Sequence, residues 1–185
     1  MKLGLTSGIV KLADHDPQWE IIAAQTIEQL CKIFGSTAKD IQHIGSTAIK
    51  TIKAKPIIDI AVAVDNFEEF ESLIPELERN GFSYHGWFLV ERITVLNVYE
   101  EIESGDKICT HHIHIVKVGS KEWNDHIVFR DYLTAHLSVA KTYEAIKVRL
   151  ASECTYDEGR KKYNEGKNAF ITQIQKNAVE WSCQS

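Results

Sequence analysis

Trp19, Ile22, Ala23, Ile27, Leu30 and Phe34 recur at three- and four-residue intervals, and the run stops at Gly35. That is the period of an amphipathic helix, with Asp16 suited to the N-cap and Pro17 to the first helical position. A second such run, Phe67, Phe70, Leu73, Ile74 and Leu77, closes at Gly81; Asn66 with Glu69 three residues on resembles a capping box. Between these helices the pattern shortens. Residues 40–44 and 57–64 read as strands, 9–12 as a brief lead-in strand, and 47–53 as a short helix or loop that Pro56 helps to end. Residues 82–90, 93–99 and 109–118 read as three further strands, a meander extending the sheet. From Trp123 onward the spacing is helical, with Ser138 as a cap, Tyr143, Ile146 and Leu150 on one face, and Tyr163, Phe170, Ile174 and Ala178 on another. No internal repeat and no Pro-, Gly- or Ser-rich linker interrupts the chain. The expectation is one α/β (α+β) domain over 1–185: a mixed sheet with helices against it, a core over about 10–118, and a C-terminal helical layer over about 119–181.

Composition narrows the class. Apolar residues are 44% and charged residues 25% of the 185, which is ordinary for a globular protein. Cys31, Cys109, Cys154 and Cys183 are scattered without zinc-like spacing and read as reduced thiols. Lys2 is followed by no apolar stretch of signal-peptide type, and nowhere do about 18 apolar residues run together, so a cytoplasmic protein without membrane spans is expected. The net charge is −5; residues 1–118 hold 11 Lys and Arg against 17 Asp and Glu, and residues 119–185 hold 10 against 9. Arg160, Lys161 and Lys162 make one small basic cluster, a solvated helix face rather than a platform for a long nucleic acid.

One position breaks the apolar pattern. Asp59 sits inside the run from Ile57 to Val64, where an ionised carboxylate costs several kcal/mol or more unless paired, hydrogen-bonded or metal-bound. Alternation puts Ile58, Ile60, Val62 and Val64 on a bulky face and Asp59, Ala61 and Ala63 on the other, where small side chains leave room for a ligand. Upstream, His43-Ile44-Gly45-Ser46-Thr47-Ala48 reads as a strand ending in a Gly-Ser turn into a helix, whose backbone N–H groups and hydroxyl can hold phosphate. Asp59 could then hold Mg2+ together with substrate phosphates. Without metal it is expected to have too few partners and a raised pKa.

These motifs carry a resemblance. The Gly-Ser turn and downstream Asp resemble the signature of the polymerase-β-like nucleotidyltransferase superfamily. The wider string HIGSTA, AKPIIDI, HHIHIV, FRDYL and YNEGK resembles the GrpB-like family over about residues 10–174. The resemblance implies a nucleotidyltransferase-like fold, and transfer of a nucleotidyl group from a nucleoside triphosphate to a small acceptor. Superfamily enzymes usually carry a second acid two residues after the first, where this chain has Ala61, and a third carboxylate on a neighbouring strand, the region of His112 and His114. Two-metal chemistry wants several carboxylates, so a non-catalytic nucleotide-binding or regulatory module is the rival reading. Histidines in the third position would shift the preference from Mg2+ toward Mn2+ or Zn2+.

The remaining candidates follow from residue type and spacing. Period-2 geometry puts His112 and His114 on one strand face, able to share a metal, flank a phosphate or act as a base, or merely to line a solvated face. His43, two residues before Gly45, is a candidate for the same cleft, and a metal-dependent hydrolase built from His43, Asp59, His112 and His114 is a further alternative. Lys55 and Arg92 are candidate phosphate ligands. Arg130 is either a ligand-binding residue or, slightly favoured, a tie between its helix and the sheet. Tyr143 with Lys147, and Tyr163 with Lys167, lie one turn apart, presenting a hydroxyl and an ammonium to a cleft or a snorkelling Lys beside a packed Tyr.

Overall fold

The computed structural model describes residues 3–88, 93–103, 105–153 and 159–182. Its sheet holds six strands: β1 (Leu5–Thr6), β2 (Ala38–Ile44), β3 (Ile58–Val64), β4 (Phe82–Phe88), β5 (Ile93–Glu101) and β6 (Lys107–Lys117). Five α-helices accompany them: α1 (Gln18–Phe34), α2 (Phe67–Arg79), α3 (Lys121–Ala135), α4 (Leu137–Glu153) and α5 (Gly159–Ser182). The fold is the mixed α/β arrangement expected. Strand order is β2-β3-β6-β5-β4, with β1 pairing β6 through Leu5 opposite Cys109.

The 82–118 meander joins the sheet by its last strand. β6 lies parallel to β3 and antiparallel to β5, so it is the strand with a neighbour on both sides at the centre of the sheet. This placement sets the site, because in the β3–β6 register Asp59 is opposite His112 and Ala61 opposite His114. A β-bulge between Val98 and Tyr99 skips one residue of β6, pairing Val98 with His111 and Tyr99 with Cys109. The extra residue restores Cys109 to the His112 face.

The bulky face of β3 is buried as the alternation predicts. Ile58, Ile60, Val62 and Val64 join Ile113, Ile115 and Leu96 in one core with Trp19, Leu30 and Phe34 of α1 and Phe70 and Leu77 of α2. The other face is covered by α3, which touches β2, β3 and β6 and is backed by α4 and α5. A second apolar cluster there joins Ile49 and Ile52 to Phe129, Leu133, Ala140, Tyr143 and Ile174. Burying a side chain such as Leu133 or Ile52 contributes about 1.5–3 kcal/mol before entropy is counted, so this second cluster fixes the helical layer over the Asp59 face.

Local signals are met with shifts of a residue or two. Asp16 Oδ1 accepts from Gln18 N–H at 3.0 Å, and Asn66 Oδ1 from Glu68 N–H at 2.8 Å. Ser138 does not cap α4; it lies inside that helix, and Ser120 caps α3 by accepting from Trp123 N–H. The lead-in strand at 9–12 is absent; the chain pairs earlier, at β1, and Ala13 makes a single bridge with Ala54. The Gly-Ser turn opens only one 3-10 turn, Ser46–Ala48, after which Ile49 and Ile52 turn inward to the second apolar cluster. Among the described residues, no helix is long and apolar enough to cross a membrane.

Candidate functional site

A cleft of about 380 Å3 opens between the Asp59 face of the sheet and the helical layer. The sheet wall brings Gly45, Ser46, Asp59, His112 and His114; the facing wall brings Lys55, Lys147 and Lys167 with Tyr143 and Tyr163. Ten residues singled out from the sequence therefore share one cavity, drawn from the turn after β2, from the loop before β3, from β3, from β6 and from two helices.

Asp59 is the centre of the sheet wall. Its Oδ1 lies 3.2 Å from His112 Nδ1, a hydrogen bond, and 3.5 Å from His114 Nε2. Burial alone would raise the carboxyl pKa and is the largest single influence. The hydrogen bonds and charges of His112 and His114 together outweigh it and hold the carboxyl well below the usual carboxylate range. The raised pKa expected from sequence is thus reversed, because β6 docks in parallel and delivers two imidazoles in register. Across the rings, His114 faces His126 of α3 at 5.1 Å between centroids. Burial first, and His114 second, push His126 down to about 4.

Gly45 is required by this arrangement. Its φ of 68° is in the left-handed region, and a Cβ there would stand 2.5 Å from Asp59 Oδ2. The turn therefore lies directly against the carboxylate. A three-residue 3-10 turn carries little dipole, so the helix start expected from the sequence as a phosphate cradle does not form.

The lysines of the facing wall are crowded. Lys147 is 1% exposed, donates to the Lys53 carbonyl at 2.5 Å and lies 4.6 Å from the centre of the Tyr143 ring. The Tyr163 ring has Lys167 at 4.3 Å and Lys55 at 5.6 Å. Burial and then the neighbouring Lys167 push Lys147 down to about 7, and burial and then Lys55 push Lys167 down to about 8. Burial pushes Tyr143 up to about 12, and its hydroxyl shares a hydrogen bond with Ser46. The snorkelling reading fails for Tyr143 with Lys147, whose ammonium ends in the interior, whereas Lys167 is half-buried beside the packed Tyr163 ring.

Two candidates stand elsewhere. His43 pairs with Ile60, so it points to the opposite face, where its Nε2 meets Thr47 Oγ1 at 3.0 Å; the hydrolase centre of His43, Asp59, His112 and His114 does not assemble. Arg130 donates to Gln42 Oε1 at 3.0 Å, to the His43 carbonyl at 2.9 Å and to Asp131 at 2.7 Å, tying α3 to β2 rather than reaching the cleft. Arg92 lies outside the described residues. Asp125 and His126 line the cleft without having been singled out, and Asn164, which lies inside the YNEGK motif, was given no role of its own. His126 sits in helical sequence with no motif, and only the packing of α3 reveals it.

The donor set bears on metal binding. Ala61, buried on the same strand face as Asp59, brings no carboxylate, and Asp59 Oδ1 is engaged by imidazoles. Among the described residues, no three His, Cys, Asp or Glu side chains are grouped to hold a metal ion. A site for two Mg2+ ions does not fit these residues.

Residues 9–177 match the GrpB protein family. The chain belongs to that family. It is 37% identical to the glutamate-rich protein GrpB of Alkalihalophilus pseudofirmus over 93% of this chain and 97% of that one, and 31% identical to the UPF0157 protein YqkA of Bacillus subtilis over 93% of this chain but 48% of that protein. A crystal structure of GrpB from Enterococcus faecalis superposes with a TM-score of 0.80 at 30% identity, covering 93% and 99% of the two chains. The Cid1 poly(U) polymerase with MgGTP bound superposes at 0.50 with 15% identity, over 75% of this chain and 43% of that one. This chain thus has a nucleotidyltransferase-like fold.

Proposed function

We propose that the cleft binds a nucleoside triphosphate and transfers its nucleotidyl group to a small acceptor. The observation that carries this reading is the opposition of two chemistries in one cavity: a carboxylate–imidazole pair on the sheet, and Lys55, Lys147 and Lys167 on the facing wall. Three ammonium groups held near one another, two of them with lowered pKa, suit a ligand with several negative charges. Gly45 lets that ligand approach Asp59 closely, and the Ser46 hydroxyl adds a donor. Positioning and charge stabilisation would supply most of the rate.

In this reading His112, oriented by Asp59, takes the proton from the acceptor hydroxyl. The acceptor oxygen bonds to the α-phosphorus as the bond to the β-phosphate oxygen breaks, and pyrophosphate leaves with that electron pair against the lysines. A single Mg2+ carried in by the triphosphate, with Mn2+ or Zn2+ as substitutes, would neutralise phosphate charge beside Asp59. Titration calorimetry with ATP, GTP, CTP and UTP and Mg2+, followed by pyrophosphate release, tests the reading. Binding below millimolar that is lost in Lys147→Met with Lys167→Met supports it, and absence of binding by all four rejects it. Ala61 in place of a second acid favours one rival, a nucleotide-binding module without turnover. Tight binding with no pyrophosphate release under any acceptor would establish that rival.

A further inference from the structure

Beside the main cleft lies a smaller pocket of about 70 Å3, walled by residues 5–9 on one side and by Asn97, Tyr99 and Cys109 on the other. The two cavities share Lys55, Ile57 and His112. The β1 strand makes this pocket by pairing with β6 beyond the end of β3, which leaves residues 7–9 beside the cleft mouth. The bulge in β5–β6 supplies the opposite wall by keeping Cys109 on the His112 face.

From this junction we infer that the smaller pocket is the acceptor subsite, and that the acceptor is a small uncharged alcohol, or the hydroxyl-bearing end of one, presented to His112. The inference rests on the nucleotidyl-transfer reading and names its second substrate. Size is the first argument: the pocket is under a fifth of the main cleft and takes a few non-hydrogen groups, not a second nucleotide or a polymer end with stacked bases. Chemistry is the second. The lining offers the Thr6 and Ser7 hydroxyls, the Asn97 amide and the Tyr99 phenol, and Asn97 Nδ2 donates to Tyr99 Oη at 3.2 Å. These groups donate and accept, as neighbouring hydroxyls require; the lining holds no carboxylate to select an amine, and its ammonium, Lys55, sits at the junction with the main cleft, where the triphosphate would engage it. Position is the third. His112 stands opposite both Asp59 of β3 and Asn97 of β5, so one imidazole touches the carboxylate that orients it and the wall that would hold the acceptor. The transfer then balances as described: the alcohol oxygen bonds to the α-phosphorus, its proton passes to the His112 ring, and pyrophosphate departs on the lysine side.

The test uses the full chain with ATP and Mg2+ and a set of small alcohols: glycerol, erythritol, myo-inositol and glucose, with ethanolamine as the amine comparison. At least one alcohol is expected to accelerate pyrophosphate release. Asn97→Leu and Ser7→Phe, the second in an exposed turn that tolerates change, should each raise its KM about tenfold or more while the ATP dissociation constant moves less than twofold, since unpaired polar walls reject a hydroxyl they no longer bond. A readout independent of turnover is alkylation of Cys109 by iodoacetamide, mapped by mass spectrometry. The stimulating alcohol should slow it in the presence of ATP, and ATP alone should not. If ATP binds and no alcohol stimulates release, or if both variants keep the wild-type KM, the acceptor assignment is overturned while the nucleotide site stands. If no nucleotide binds at all, the nucleotidyl-transfer reading falls, and this inference with it.

Discussion

Gly45 and Asp59 occupy space that a single added methyl group would contest: a Cβ on Gly45 would lie 2.5 Å from Oδ2 and 2.9 Å from the Asp59 Cβ. The turn and the carboxylate are therefore one unit. Gly45→Ala should destabilise the protein by about 1–3 kcal/mol, through the left-handed backbone and the clash together, and should abolish triphosphate binding. Urea melts and calorimetry check both. A variant that melts like the wild type and still binds would mean that the turn can move away from Asp59 freely.

The carboxylate of Asp59 is expected to stabilise the fold, contrary to the behaviour of a strained, unpartnered anion. Its folded-state pKa lies below that of an unfolded aspartate, about 3.9. The stabilisation is therefore present above about pH 4 and is lost as the pH falls toward the folded-state value. Asp59→Asn keeps an acceptor for His112 but loses the charge, and should cost about 1–2 kcal/mol at pH 7. The gap between variant and wild type should narrow below pH 4. Denaturant midpoints taken from pH 7 to pH 3 measure it; a variant more stable than wild type at pH 7 would refute the pairing.

Triphosphate binding should take up protons. Lys147 is pushed down to about 7 and Lys167 to about 8, so near pH 8 the empty cleft holds Lys147 largely neutral. A polyanion raises both values, and about one proton should be absorbed on binding at that pH. Calorimetry in buffers of different ionisation enthalpy reads the number directly, and Lys147→Met should lower it by about half. In the empty protein the same residue should make stability rise with pH from about 7 toward 10, because the unfolded chain keeps the proton that the native state has lost.

Arg130→Ala should separate architecture from binding. It removes the donors to Gln42 and to the His43 carbonyl and leaves α3 without its tie to β2, at a cost of about 1–3 kcal/mol. Triphosphate affinity should stay within about twofold. A large loss of affinity with unchanged stability would place the guanidinium in the cleft.

Much of this arrangement was legible in the residues, and for identifiable reasons. The two faces of β3 follow from strict alternation, and the ends of α2 follow from Asn66 and Gly81, which are local signals. The Gly-Ser turn and Asp59 were conspicuous because each violates its surroundings. What could not be read is what distant pairing decides. The residues around Asp59 do not place His112 beside it; the resemblance alone put the two histidines in the neighbouring-strand position, and the pairing depends on β6 entering between β3 and β5. The sign of the Asp59 pKa shift was missed for that reason alone. His126 was hidden because a polar residue in a helix points to solvent or cavity according to packing. His43 misled because counting from Gly45 ignores the alternation that turns it to the other face.

The parallel pairing of β3 with β6 also orders events during synthesis. When the ribosome has released residues 38–64, the β2–β3 pair can form, but a sequence separation of 53 positions still parts the Asp59 carboxylate from His112. Until β6 slots in, that face of the hairpin carries an unpartnered anion amid Ala61 and Ala63. The sheet wall of the cleft therefore exists only once the β3–β6 pairing has formed.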